Sequence, residues 1–417
     1  MPERPKPSKQ RRALSARGGP VTAEGEPALA ALLAGALESV PVGDADPEKE
    51  ARTQSGAPDE ASDLTHGFHS FPARFSPLLP RRLLAGVTPG QVVLDPFAGS
   101  GTALVEAMLR GARVFGSDVN PLAIELCKLK ATPWPADRRD KLAARASEIA
   151  AASLARVKKR ARTKESGRRY DDPSHYAPHV FRELVGLREE LEPERDPELR
   201  RALLLLFSSI LVKVSRQSAD TAPGEVERAI GKGLPTRLFQ RKAEELSRRL
   251  AAFAARVPPG TPSPDVRACD ARALRHLAAG AVDVIVTSPP YLGTYDYAAQ
   301  HERRYGWLGL DARPFAAQEI GARRRAGSPA SALETWQKDV DAFVAEMARV
   351  LRPGGRAFVA IGDSALGAQL VPGDQALRRA AARAKLKVPA SASQARPSFY
   401  RPAARLTRRE HLILLVR

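Results

Sequence analysis

Four positions in the chain put a carboxylate or a hydroxyl where a parallel sheet would expose it. Asp95 leads into a glycine-rich turn, Asp95-Pro-Phe97-Ala-Gly99-Ser-Gly101-Thr102; Asp118 and Asp270 each end an apolar run; and Ser288-Pro289-Pro290-Tyr291 follows another. A carboxylate at the mouth of such a turn suits a cationic ligand, because it attracts an ammonium at short range while the glycines let the backbone approach. Leu104 stands where a dinucleotide fingerprint would have its third glycine, which argues against a pyrophosphate site. Asp118, about 20 residues past the turn, is placed to accept from both hydroxyls of a ribose. Asp270 is placed to accept from an adenine amino group. Each acid alone reads as an ordinary surface aspartate, but three at successive strand ends read as a cofactor pocket.

The elements that must hold these residues are legible from apolar periodicity. Gln91 to Asp95 predicts a strand, Ala103 to Arg110 a helix ending at Gly111, Arg113 to Ser117 a second strand and Pro121 to Lys130 a second helix. This alternation predicts a parallel sheet. From about Ala136 to Val257 only helical texture appears, over Arg138 to Lys159, His179 to Leu191, Pro197 to Arg216 and Thr236 to Val257. Its stretch Leu203 to Val214 predicts the buried helix of the group. Arg156 to Arg169, with eight Lys or Arg against one Glu, reads either as a solvated face or as a phosphate-contacting surface. Strands resume at Asp265 to Cys269 and Val282 to Val286. After a helix over Thr335 to Leu351 come strands Arg356 to Ile361 and His411 to Val416. The expected organisation is a basic, unstructured tail over 1–63, with one short helix near Ala28 to Glu38, a first half of the sheet domain over 64–135, a helical insertion over 136–260 and a second half over 261–417.

Composition narrows the partners. A formal charge of +19 in 417 residues points to a polyanion, most often nucleic acid, with an arginine-rich coding bias as the alternative source. Two cysteines without ligand spacing, Cys127 and Cys269, argue against disulfides and zinc and fit a reducing cytoplasm; no metal is expected. The apolar run Ala28 to Val40 is too short to span a membrane and has acids before it, so neither a secretory signal nor a membrane protein is expected.

Asp95-Pro-Phe-Ala-Gly-Ser-Gly-Thr resembles motif I of the amino-methylating DNA methyltransferases, and Ser288-Pro-Pro-Tyr291 resembles their catalytic motif IV. Phe71-Pro-Ala-Arg-Phe75 is similar to their motif X, and Leu351-Arg-Pro-Gly-Gly355 to a turn found across class I methyltransferases. The resemblance covers roughly His66 to Lys130 and Val266 to Arg417. It implies a Rossmann-like class I α/β sheet, mostly parallel with an antiparallel last strand, and S-adenosylmethionine as cofactor. Phe71, Phe75, Asp95, Phe97, Gly99, Gly101, Thr102, Asp118 and Asp270 would bind that cofactor.

In that family the motif IV loop orients an exocyclic amine whose lone pair is delocalised into its ring. Two acceptors on the N–H groups let the nitrogen pyramidalise and aim that pair at the methyl donor. The resemblance assigns these acceptors to Ser288 Oγ and the Pro289 carbonyl, with Pro290 stiffening the loop and Tyr291 stacking an extruded base. A serine at the head of the loop leans toward cytosine N4 over adenine N6. No Pro-Cys pair is present for cytosine C5 chemistry, since Leu126 and Ala268 precede the cysteines.

Tyr295, Tyr297, Arg303 and Arg304 interleave rings with cations and suit nucleic-acid contact. Phe399 and Tyr400 fall where the family places another aromatic against the target base. Trp307 reads as packing. The insertion lies between the second and third acids, away from the family's usual target-recognition region, so site recognition must come from it, from the long loops or from a partner. DNA is the expected substrate, RNA base methylation is the rival, and a non-catalytic nucleic-acid-binding protein is the alternative outside enzymes.

Overall fold

The computed structural model of the chain describes residues 18–40, 64–72, 74–158, 170–217, 224–322, 328–366, 369–396 and 407–417. Its centre is an eight-stranded sheet. In chain order the strands are β1 (Val21–Gly25), β2 (Val92–Asp95), β3 (Arg113–Asp118), β4 (Asp265–Ala268), β5 (Val282–Thr287), β6 (Leu351–Gly362), β9 (Lys387–Arg396) and β10 (Arg408–Val416). Two short strands, β7 (Ser364–Leu366) and β8 (Gln369–Val371), form a separate hairpin. The sheet runs β1-β9-β10-β6-β5-β2-β3-β4.

Strands β4, β3, β2, β5 and β6 are mutually parallel, and β10 joins antiparallel between β6 and β9. This is the class I methyltransferase arrangement, with β1 added at the far edge. The chain leaves β2 toward β3 and β4 and returns through β5 on the other side of β2. The carboxyl ends of β2 and β5 therefore flank the switch point, where open α/β sheets bind ligands.

The N-terminal segment departs from the expected tail. Val21–Gly25 pairs antiparallel with β9, from Val21 opposite Gln394 to Gly25 opposite Ala390. Helix α1 (Pro27–Glu38) follows and buries Leu33, Ala36 and Leu37 in the core beneath it. The alternating Val-Thr-Ala-Glu-Gly carries too little apolar weight to announce a strand, and only its partner strand makes it one.

The region between β3 and β4 is helical as expected. After α2 (Leu78–Leu83), α3 (Thr102–Met108) and α4 (Pro121–Lys130) it contributes α5 (Ala136–Lys158), α6 (Pro178–Leu191), α7 (Pro197–Val214) and α8 (Leu234–Arg256). Asp196 starts α7 by accepting from the amides of Glu198 (2.9 Å) and Leu199 (3.1 Å). The helix is apolar nearly all round, and it is the buried member of the group. The Glu183 carboxylate satisfies the start of α8, accepting from the amides of Gly233 (2.8 Å) and Thr236 (3.0 Å).

These helices share one core with Leu122, Leu126 and Leu129 of α4 and with Trp307 and Phe315 from the segment after β5. Trp307 is fully buried, stacked on Tyr170 at 5.1 Å between ring centroids and met edge-on by Phe181 and Phe207. The basic run over 159–169 lies outside the described residues.

Candidate active site

An open cleft of about 690 Å3 lies over the carboxyl ends of β2, β3, β4 and β5. Of the residues expected to bind cofactor, Phe71, Phe97, Gly99, Asp118 and Asp270 line it, and Ser288 and Pro290 of the Ser288–Tyr291 loop share the same walls. Strand ends far apart in sequence, at Gly99, Asp118, Asp270 and Ser288, thus meet in one cleft.

Gly99 and Gly101 adopt φ of +50° and +83°, a left-handed region costly to residues with a Cβ. At Gly101 a Cβ would also lie 3.2 Å from the Cα of Cys127, so the turn packs directly on α4. The Gly99 amide donates to Asp118 Oδ2 and the Asn120 amide to Oδ1, each at 2.8 Å. Asp118 therefore ties the glycine turn to the end of β3 while keeping lone pairs toward the cleft. Burial raises its carboxyl to about 6.

Other members differ from expectation. Asp95 is buried under the turn and absent from the cleft lining, its Oδ1 accepting from the Phe97 amide (3.0 Å) and the Thr287 hydroxyl (2.7 Å). Desolvation lifts its carboxyl to about 7. It joins the turn to the end of β5. Gly101 and Thr102 belong to the start of α3, and Phe75 packs against the core below; none of the three lines the cleft. Asp270 lines it, but Arg272 forks onto both oxygens, Nε at 3.0 Å from Oδ1 and Nη2 at 2.6 Å from Oδ2. Arg272 also reaches Asp339 Oδ1 at 2.6 Å and the Gln318 carbonyl at 3.1 Å, so Asp270 and Asp339 share one guanidinium.

In the Ser288–Tyr291 loop the Pro290 carbonyl accepts from Trp336 Nε1 at 3.2 Å. Among the described residues none donates to the Pro289 carbonyl. Tyr291 is half-buried with its ring edge against Gly362, its hydroxyl donating to Glu410 Oε1 and lying 3.4 Å from Ser288 Oγ. Pro289 and Tyr291 are not part of the cleft lining.

The segment after β5 carries short helices α9 (Tyr297–Gln300), α10 (Glu302–Leu308) and α11 (Arg313–Gln318) and closes one side of the cleft with Tyr297, Phe315, Glu319 and Ile320. Glu319 Oε1 accepts from the Tyr297 amide at 2.7 Å. Tyr295 sits 5.3 Å from Tyr297, ring to ring. Arg304 corrects the expectation of a nucleic-acid contact: it is buried, 1% exposed, with Nη2 donating to Ser70 Oγ at 3.1 Å. It braces the loop carrying Phe71, because α10 packs its helical face inward. Arg303 remains half-buried, its Nε donating to Gln217 Oε1 at 2.8 Å. Phe399 and Tyr400 lie outside the described residues.

Sequence reasoning missed Asn120, Phe315, Glu319 and Ile320 as cleft residues. Asn120 had a signal, an asparagine cap directly before Pro121, and it does cap α4 by accepting from the Leu122 amide at 3.0 Å. The others had none. The wall combines carboxylates at Asp118, Asp270 and Glu319 with rings at Phe71, Phe97 and Tyr297, which fits a cationic ligand bearing an aromatic base.

Strand order and the place of the cleft define a class I methyltransferase fold. Residues 45–129 match the DNA methylase family N6_N4_Mtase, so the part of the chain that builds the glycine turn is similar to the amino-methylating DNA methylases. Among curated relatives, the type II methyltransferase M.MvaI of Kocuria varians is 43% identical over 75 residues, 17% of this chain and 16% of that protein. The tRNA (guanine(10)-N2)-dimethyltransferase of Methanothermobacter thermautotrophicus is 44% identical over 57 residues, 13% of this chain and 17% of that protein. The chain thus covers about a sixth of the length of these relatives. Among solved structures, TrmN of Thermus thermophilus aligns over 82% of this chain and 49% of that one at 13% identity, with a TM-score of 0.32. The rRNA methyltransferase AviRa of Streptomyces viridochromogenes aligns over 87% and 93% at 16% identity, with a TM-score of 0.34. No helix among the described residues is long and apolar enough to cross a membrane.

Proposed function

We propose that this protein transfers a methyl group from S-adenosylmethionine to an exocyclic amino group of a DNA base, cytosine N4 in preference to adenine N6. The observation that carries the reading is that Ser288, directly after β5, opens into the same cleft as Phe71, Asp118 and Asp270. When bound, S-adenosylmethionine supplies an already activated sulfonium methyl, so no strong base is required. Phe71, Phe97, Asp118 and Asp270 are the residues that would hold it.

Ser288 Oγ and the Pro289 carbonyl are the two acceptors that would fix an incoming amine. Trp336 occupies the next carbonyl, which anchors the loop from behind and leaves Pro289 for substrate. Preorganised acceptors of this kind act where charge develops, without reorganising during reaction. A base inside a duplex cannot reach such a cleft and must be extruded, with Tyr297 of the cleft wall as a stacking surface. The charge of +19 supports a polyanionic substrate. A cytoplasmic, nucleoid-associated setting follows from that substrate.

RNA is the second reading, favoured by the similarity to a tRNA dimethyltransferase over 57 residues. The deciding experiment incubates the full chain with isotopically labelled S-adenosylmethionine and with DNA and RNA from a host lacking base methylation, followed by mass spectrometry of the nucleosides. Labelled N4-methylcytosine in DNA is expected. Label confined to RNA would replace the DNA reading, and labelled N6-methyladenine would replace the choice of base.

A further inference from the structure

Behind Ser288 a chain of hydroxyl and carboxyl groups runs away from the cleft. Ser288 Oγ lies 3.4 Å from the Tyr291 hydroxyl, which donates to Glu410 Oε1 at the start of β10. β10 pairs with β6 so that Glu410 stands opposite Gly362. That glycine is what lets the two side chains meet. A Cβ there would fall 2.7 Å from Tyr291 Cε2 and 3.1 Å from Glu410 Oε2.

Resting on the methyl-transfer reading, we infer that Glu410 is the terminal proton acceptor of a relay Ser288–Tyr291–Glu410 that removes the proton released by the methylated amine. As that N–H bond breaks, its proton passes to Ser288 Oγ, the Ser288 hydroxyl proton to Tyr291 Oη and the Tyr291 phenol proton to Glu410. The carboxylate becomes a neutral acid, and no electrons leave or enter. Glu410 is half-buried, and the part of it that still meets water is where the proton returns to solvent. Tyr291 never needs to exist as a phenolate, which its burial disfavours, because it gains a proton as it gives one up.

The groups facing Glu410 are Tyr291 from the catalytic loop, Arg396 from β9, and Arg408 and His411 from β10; Tyr295 faces Tyr291. Desolvation raises the carboxyl above its ordinary range, while Tyr291, Arg396, His411 and Arg408 hold it down. A relay that ends in this carboxylate works only when Glu410 is ionised, so turnover should rise with pH through its titration and then level.

The test uses the full chain with unmethylated DNA and compares wild type with Glu410→Gln, whose amide oxygen still accepts from Tyr291. The relay requires kcat to fall about tenfold or more at neutral pH, with KM for DNA and cofactor affinity within about twofold and the acid limb of the pH profile gone. Glu410→Ala should regain rate with added acetate. A second readout needs no turnover: in cofactor-free protein, the Tyr Cζ carbon resonance that disappears in Tyr291→Phe should titrate with Glu410 in wild type and stay flat in Glu410→Gln. If Glu410→Gln keeps the wild-type rate and acid limb, Glu410 is merely a hydrogen-bond acceptor and the relay is overturned alone. If wild type methylates no nucleic acid, the methyl-transfer reading falls and the relay with it.

Discussion

The Thr287 hydroxyl donates to Asp95 Oδ1 at 2.7 Å, joining the last residue of β5 to the last residue of β2. One buried carboxylate thus fixes both the turn that shapes the cofactor pocket and the strand that presents Ser288. Thr287→Val keeps the shape and removes the donor. The Phe97 amide still donates to the same oxygen, so stability should fall by about 0.5–1.5 kcal/mol, the net worth of one hydrogen bond, as read by urea unfolding. Turnover should suffer more than cofactor affinity, and unchanged unfolding together with unchanged turnover would show that the bond locks nothing.

The same carboxylate makes stability depend on pH. Burial raises Asp95 from 3.8 to about 7 and Asp118 to about 6, so the folded protein holds these protons more tightly than the unfolded chain does. Their contribution is therefore present in full below about pH 4 and lost as pH rises through 6 to 7. Asp95→Asn mimics the protonated form at every pH. Its stability relative to wild type should climb between pH 4 and 7, by on the order of 3 kcal/mol. A constant difference across that range would contradict the assignment.

Ser288→Ala removes one of the two acceptors for the amine without touching the wall formed by Phe71, Phe97 and Asp118. A loss of about 100-fold in kcat is expected, in the range seen when one preorganised polar group is deleted, with cofactor affinity by calorimetry unchanged. Equal losses in rate and cofactor binding would instead place Ser288 among the groups that hold the cofactor.

Trp307 links the helical region to the cleft, because Phe315, which lines the cleft, belongs to the same core. Trp307→Ala should cost about 3–5 kcal/mol and weaken cofactor binding as well. Thermal unfolding with and without cofactor would separate the two effects; a destabilised variant with wild-type affinity would show that the wall stands independently of the insertion.

Much of this was legible in the sequence, for identifiable reasons. The central strands β2, β3 and β5 are apolar enough to read directly, and their ends named the glycine turn, Asp118, Asp270 and Ser288. Strand β9 was not legible, because Ala390 and Ala392 are buried only by what α1 and the helix α13 (Gly373–Arg383) lay over them, and small residues carry no periodic signal. Asp95 and Arg304 were misplaced because type and spacing do not say which way a side chain turns. Asp270 was read as a free acceptor, although Arg272 two residues later was there to hold it. The wall at Phe315 to Ile320 comes from long-range packing alone.

The edge strand β1 has a consequence for how the molecule is made. Thr22 Oγ1 donates to the Ser393 carbonyl, 371 residues away. As the chain emerges from the ribosome, β1 must wait, unpaired, until β9 has been synthesised. Closing so long a loop is costly early in folding, so this edge should be the last part of the sheet to form.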